Sequence, residues 1–232
     1  NGRKSLNNCT IVANIVHYGR PGTFYLCYNH IMRTQKYVYH ASSTRGLKYL
    51  EPRESTHQQN WVYATKKIAI SAMFLGNNFD FICQTGTEKG IPHISERFEG
   101  ALKHAYQEKG GVIYRLPAET FLEGKTQWSA EVVSETRVEI LEEIEVKDAL
   151  IFLENLAKKG ELIIYKYPNK PKGFPNDKSD IIERAVDWTM KFGENTLDIT
   201  EKYHPDVLEN TIKELKAKNY SPTSKKWKEK FK

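Results

Sequence analysis

Short runs of β-branched and aromatic residues recur through the middle of the chain, each bounded by glycine, proline or polar residues. Such runs are typical of β-strands. They predict strands at 37–40, 61–65, 111–116, 131–133, 138–144 and 162–167. Residues 77–95 contain glycines and show no regular period, so we predict irregular structure there. Residues 46–52 predict a helical turn that leads into a loop.

Apolar residues recur at helical spacing in five other segments. The first of these helices ends at Gly76 and carries one face made of Ile68, Ser71, Ala72 and Leu75. The others are predicted at 98–107, 147–158, 178–193 and 205–218. Short strands with few helices between them indicate an α+β fold rather than a parallel α/β sheet.

The element pattern divides the chain into three parts. Residues 1–36 hold two β-prone runs around a Gly/Pro turn, which predicts a β-rich N-terminal extension. Residues 37–150 contain most of the predicted strands and form the expected core domain. Residues 151–232 include a proline-rich loop or boundary at 168–176 and form a mainly helical C-terminal extension with a basic tail.

Charge and cysteine content narrow the possible partners. The chain of 232 residues has a net charge of +6, and its last 20 residues hold eight Lys and two Glu. With Trp227 and Phe231, this tail is a candidate contact for nucleic acid or another acidic partner; the alternative is a solvated, frayed terminus.

No run approaches the length of a membrane-spanning helix, so we expect no membrane partner. Three cysteines without a CxxC pair predict no metal site and a reducing, cytoplasmic location.

Three polar residues occupy similar positions on predicted strands. His40 ends one strand, Tyr63 lies within the next, and Glu131 begins a third. Residues at strand ends can converge across a cleft between two sheets, which makes this trio a candidate site. Taken singly, each residue is more often structural or solvated.

The sequence around this trio resembles the ADP-ribosyltransferase superfamily, on its diphtheria-toxin and poly(ADP-ribose) polymerase branch. The family has a strand ending in His-Gly-Ser, a strand Gly-Ile-Tyr-Phe-Ala followed by a helix with Ser-Ala-Asn-Tyr, and a strand that begins at Glu. The matching segments are YHAS at 39–42, VYAT at 62–65, SAMF at 71–74 and EVVS at 131–134. The match covers roughly residues 37–146 and is also similar to rifampin ADP-ribosyltransferases. It implies a core of two small, packed, mostly antiparallel sheets.

The resemblance implies that NAD is a substrate and assigns a role to each matched residue. His40 would bond the adenine-side ribose, with Ser42 nearby. Tyr63 and Phe74 would flank the nicotinamide ring. Ser71 would bond the carboxamide of nicotinamide.

The catalytic carboxylate is the next expectation from the resemblance. Glu131 would stabilise the positive charge that develops on the ribose. Glu135 is a competing acid, because alternate residues of an extended strand share a face. Gln127 and Ser129 would lie in phase with Glu131 for the same reason. Ala41 replaces the family's glycine, where the backbone approaches nicotinamide, so its methyl group could crowd the site.

The implied activity is that of a mono-ADP-ribosyltransferase, with nicotinamide as the leaving group. An NAD glycohydrolase or an inactive nucleotide- or partner-binding module would carry the same residues. The acceptor stays open among protein, nucleic acid and small molecule. The acidic residues Glu142, Glu143 and Glu145 predict only a solvated strand edge.

Overall fold

Antiparallel strands form the centre of this fold, in a computed structural model that describes residues 35–55, 58–126, 128–175 and 177–232. The strands are β1 (Tyr37–Ser42), β2 (Tyr49–Leu50), β3 (Arg53–Glu54), β4 (Asn60–Thr65), β5 (Cys83–Glu88), β6 (Ile91–Glu96), β7 (Gly111–Pro117), β8 (Glu131–Ser134), β9 (Val138–Glu139), β10 (Glu142–Val146) and β11 (Ile163–Tyr165). Nearly all of the predicted N-terminal extension lies outside the described residues.

The helices flank these strands and dominate the C-terminal part. They are α1 (Ile68–Met73), α2 (Phe79–Ile82), α3 (Ala101–Tyr106), α4 (Ala149–Lys158), α5 (Ser179–Phe192), α6 (Asn195–Tyr203), α7 (Leu208–Ala217) and α8 (Lys225–Lys230), with a 3₁₀ turn at Pro205–Val207. The predicted α+β class is therefore confirmed. No helix in the described ranges is long and apolar enough to cross a membrane.

The strands form three sheets in the described part of the chain. The largest has six strands in the order β10-β7-β1-β4-β3, and β8 also pairs with β4. A second sheet has the order β11-β6-β5, and β2 pairs with β9. One apolar core on the large sheet includes Ile113 with Leu153 and Leu162, and a second includes Val38 with Val132. The boundary expected at residue 150 thus falls inside α4, whose apolar face belongs to the first core.

The prediction of irregular structure over 77–95 is wrong. The segment forms α2 and then the hairpin of β5 and β6, in which Glu88 pairs with Ile91. Lys89 and Gly90 both have positive φ, 49° and 80°, as a two-residue hairpin turn matched to strand twist requires. The predicted helical turn at 46–52 is also wrong, because Tyr49–Leu50 is extended and pairs with β9.

The basic tail is folded, which contradicts the frayed terminus weighed from the sequence. Trp227 of α8 is only 1% exposed and packs with Val186, Leu197 and Leu215. The Lys226 ammonium lies 2.6 Å from an Asp198 carboxylate oxygen. The tail therefore belongs to the C-terminal helical cluster, and α6, which the sequence pattern did not predict, forms one side of it.

A half-buried ion pair and a buried hydrogen bond join this helical part to the sheet region. Arg97 donates to both Asp180 carboxylate oxygens, at 3.3 and 2.5 Å. His204 Nε2 lies 2.6 Å from the Phe81 carbonyl oxygen, so this nitrogen carries the proton. Burial lowers the pKa of His204 below its ordinary value.

Acid should therefore weaken the fold. Burial also lowers the pKa values of His40 and His93. A lowered folded-state pKa means that the unfolded state takes up protons first. The free energy of unfolding should be nearly constant between about pH 7 and 8, and should fall as pH drops from the unfolded-state pKa near 6.5 through the lower folded-state pKa values.

Urea unfolding between pH 8 and 5 measures this dependence. His204→Gln should flatten the pH profile, because glutamine does not titrate in this range. A wild-type profile that is flat, or that rises towards pH 5, would contradict the assignment.

Candidate active site

The large sheet opens between β1 and β4. Six residues of β1 pair with β7, whereas β1 pairs with β4 only where Tyr39 faces Thr65. Beyond that pair, His40 Nδ1 lies 2.7 Å from the Tyr63 carbonyl oxygen. A side chain has thus taken the place of a main-chain ladder partner, and the pairing of β1 with β4 ends at this point.

The hydrogen bond to Tyr63 fixes the chemistry of His40. A carbonyl oxygen can only accept, so Nδ1 carries the hydrogen. Burial lowers the His40 pKa, which favours the neutral ring, although the bond to Tyr63 opposes this shift. In that neutral tautomer Nε2 is a hydrogen-bond acceptor. The imidazole is therefore prepared to receive a hydrogen bond from a hydroxyl group.

Strand register brings Tyr63 and Glu131 onto one face. In the pairing of β4 with β8, Tyr63 faces Val133 and Thr65 faces Glu131. Residues directly opposite in an antiparallel pair share a face, and so do alternate residues of one strand. The Glu131 amide donates to the Trp128 carbonyl oxygen at 3.0 Å, which sets the turn that leads into β8.

Two aromatic rings, exposed Phe74 and half-buried Trp128, lie beside this turn. Phe74, which follows α1, is 45% exposed. Its ring centroid lies 5.9 Å from that of Trp128 and 5.4 Å from that of Phe79. Trp128 was not among the predicted site residues. The sequence signal that could have indicated it is an aromatic residue three positions before Glu131.

Ser71 lies on α1, in the buried interior. Its hydroxyl oxygen has no hydrogen-bond partner within the described residues. A buried hydroxyl without a partner costs about 1–3 kcal/mol, so a polar ligand group that reached it would be favoured. In this conformation the oxygen is enclosed, and contact with a ligand requires its side chain or its neighbours to move.

The loop after β1 is held in place by side chains of β7 and β10. Tyr114 donates to the Thr44 carbonyl oxygen at 2.8 Å and accepts from the Leu47 amide at 3.2 Å. Glu143 accepts from the Gly46 amide at 2.7 Å. The acidic edge discounted from the sequence therefore fixes the segment that follows His40, Ala41 and Ser42.

Close packing also explains the side chain of Ala41 and the glycine at 111. Ala41 packs against the first core, on the face of β1 that also carries Tyr39. A Cβ at Gly111 would lie 2.6 Å from the Ser42 carbonyl oxygen. Ser42 Oγ accepts from the Thr44 amide at 3.0 Å, which closes the turn after β1.

Phenylalanine at position 114 should loosen this loop. Tyr114→Phe removes one donor and one acceptor and leaves two loop groups without their partner, at a cost of about 1–3 kcal/mol. We expect a lower urea midpoint together with faster amide hydrogen exchange at Leu47. Substitution of the exposed Tyr167 by phenylalanine is the control and should change neither. Unchanged exchange at Leu47 in Tyr114→Phe would contradict the role given to this hydroxyl.

The structure separates Glu131 from the other acid weighed at this site. The strand β8 ends at Ser134, whose hydroxyl accepts from the Thr136 amide at 3.3 Å. Glu135 is exposed beyond that end, roughly 13 Å of extended chain from Glu131. Ser129 occupies a turn, so the expected phase between Ser129 and Glu131 is wrong, and Gln127 lies outside the described residues.

One surface groove lies beside this region, and a second lies among the C-terminal helices. One, of about 370 Å³, is lined from β1 and the start of α1; the other, of about 330 Å³, lies between α5 and α7. Neither is lined by His40, Tyr63 or Glu131. Across the described ranges, no group of three or more His, Cys, Asp or Glu residues could hold a metal ion.

Comparison of the chain with protein-family models, with curated proteins and with solved structures finds no match.

Proposed function

We propose that this protein transfers ADP-ribose from NAD to an acceptor and releases nicotinamide. The observation that carries the proposal is the opening between β1 and β4, where His40 binds the Tyr63 carbonyl oxygen at 2.7 Å. Glu131 lies on the next strand and shares a face with Tyr63, whereas the pairing of Tyr39 with Thr65 directs His40 to the other face of β1, from which its ring reaches the edge of β4. The proposal also rests on the resemblance of these strands to ADP-ribosyltransferase motifs.

Each residue has a task that suits its surroundings. Neutral His40 accepts a hydrogen bond at Nε2 from a ribose hydroxyl. Tyr63 and Phe74 supply aromatic surface for the nicotinamide ring, and Trp128 extends that surface. Positioning by these contacts lowers the entropic cost of reaching the reactive geometry.

Glu131 acts on the bond that breaks. The bond between the nicotinamide nitrogen and C1 of the ribose cleaves, and its electron pair leaves with nicotinamide. Positive charge develops on the ribose, and a carboxylate beside it stabilises that transition state. An acceptor nucleophile then bonds to C1, and its proton passes to Glu131 or to water.

Isotope-labelled NAD tests the proposal and separates its alternatives. The protein is incubated with NAD labelled in the adenylate part, and nicotinamide, free ADP-ribose and labelled macromolecules from a cell extract are measured together. Nicotinamide release with a labelled acceptor supports transfer. Equal amounts of nicotinamide and free ADP-ribose, with no labelled acceptor, indicate a glycohydrolase. Absence of both release and NAD binding would overturn the proposal in favour of an inactive module.

A further inference from the structure

The groove at the start of β1 lies next to the candidate site. Its lining, here called the basic groove, consists of Gln35, Lys36, Tyr37, Tyr39, Lys66, Lys67, Ile68 and Glu161. Tyr39 faces Thr65, and Thr65 faces Glu131 on the next strand. Neighbouring strands are about 4.8 Å apart, so the groove wall at Tyr39 lies roughly 10 Å from the Glu131 backbone.

A main-chain contact fixes that distance. The Lys66 amide donates to the Ala130 carbonyl oxygen at 3.3 Å, which joins the groove to the residue before Glu131. The Gln35 side-chain amide donates to the Lys66 carbonyl oxygen from the other side. A ligand bound in the groove would therefore lie beside the proposed reaction centre.

The groove carries a positive charge. Three lysines and one glutamate line it. Lys66 is paired with Glu123 at 2.7 Å, but Lys36 and Lys67 have no carboxylate within ion-pair distance in the described ranges. Exposed lysines without a carboxylate partner are suited to phosphate, which they bind as point charges.

Aromatic surface accompanies these lysines. The Tyr37 ring has the Arg115 guanidinium 4.6 Å and the Lys36 ammonium 5.2 Å from its centroid. Tyr39 lies two residues along the same face of β1, because alternate residues of a strand point the same way. Basic residues interleaved with aromatic rings are typical of grooves that hold single-stranded nucleic acid through its phosphates and bases.

We propose that the basic groove binds single-stranded nucleic acid and presents it to Glu131 as the acceptor. The acceptor role rests on the proposed ADP-ribose transfer, whereas binding does not. The two tyrosines favour a nucleic acid over a phosphorylated peptide, because phosphate recognition alone needs no stacking surface.

Fluorescence anisotropy with a labelled, mixed-sequence 12-mer, as DNA and as RNA, tests the binding without NAD. Lys36→Glu combined with Lys67→Glu should weaken affinity by about tenfold or more and reduce the salt dependence of log K by about 1.4. Lys213→Glu combined with Lys216→Glu makes the same charge change on the exposed face of α7 and should alter affinity less than about twofold.

Two results would overturn the inference: no binding of either 12-mer, whether or not a phosphopeptide binds, or equal losses in both double variants. The proposed function is tested separately by nicotinamide release from NAD. Loss of nucleic-acid binding with nicotinamide release intact would remove only the inference. Binding without release would remove only the proposed function.

Discussion

Glutamine in place of Glu131 should lower the rate of nicotinamide release from NAD by about 10²–10³-fold. The amide keeps the size and most hydrogen bonds of the carboxylate but cannot offset the positive charge that forms on the ribose. Because that charge appears only in the transition state, NAD affinity should change by no more than about threefold. Single-turnover assays give the rate, and calorimetric titration gives the affinity.

Glu135→Gln is the matched control for this prediction. It makes the same chemical change four residues later, at an exposed position beyond the end of β8. Its rate should stay within about twofold of the wild-type value, as surface substitutions away from a site do. Loss of release in Glu135→Gln with Glu131→Gln active would contradict the site, and equal loss in both would leave Glu131 without a specific role.

Alanine in place of Trp227 should have the largest effect on stability. The side chain is 1% exposed and joins α8 to α5, α6 and α7. Truncating a buried tryptophan costs about 3–5 kcal/mol through lost burial and the cavity left behind. Domains of this kind are stable by about 5–15 kcal/mol, so the loss is a large part of the total.

Urea unfolding measures the loss at Trp227, with Met190→Ala as control. Met190 is 49% exposed on α5, and its truncation should cost less than about 1 kcal/mol. Hydrogen exchange in α6 is a second measurement, which reports the local effect. The helix α6 contacts α8 directly, because Lys226 and Lys230 pair with Glu201. Hydrogen exchange in α6 should accelerate in Trp227→Ala. Equal unfolding free energies in the two variants would contradict the docking of α8.

Strands and helices with strong local signals were predictable, and elements that depend on pairing were not. The periodic segment at 147–158 predicts α4, and the aromatic run at 61–65 predicts β4 almost to its bounds. The hairpin of β5 and β6 was missed because its turn, Lys89-Gly90, lacks the usual Asn-Gly or Asp-Gly signal. Its strands also mix Gly86 and Pro92 with polar residues, which weakens the β pattern.

The candidate site was predictable only in part, because its geometry also depends on how the strands pair. The residue types and order of His40, Tyr63 and Glu131 can be read from the sequence, but their geometry depends on register. Only the structure contains the bond from His40 to the Tyr63 carbonyl oxygen. Trp128 approaches Phe74 through a turn, so no strand or helix period places them together.

The most direct test of the proposed function locates NAD on the protein. A crystal structure with an NAD analogue that resists cleavage shows where the cofactor binds. The proposal predicts the nicotinamide ring beside Tyr63 and Phe74, with the attached ribose next to Glu131 and the other ribose bonded to His40 Nε2. An analogue bound elsewhere, or absent from the opening between β1 and β4 at millimolar concentration, would contradict it.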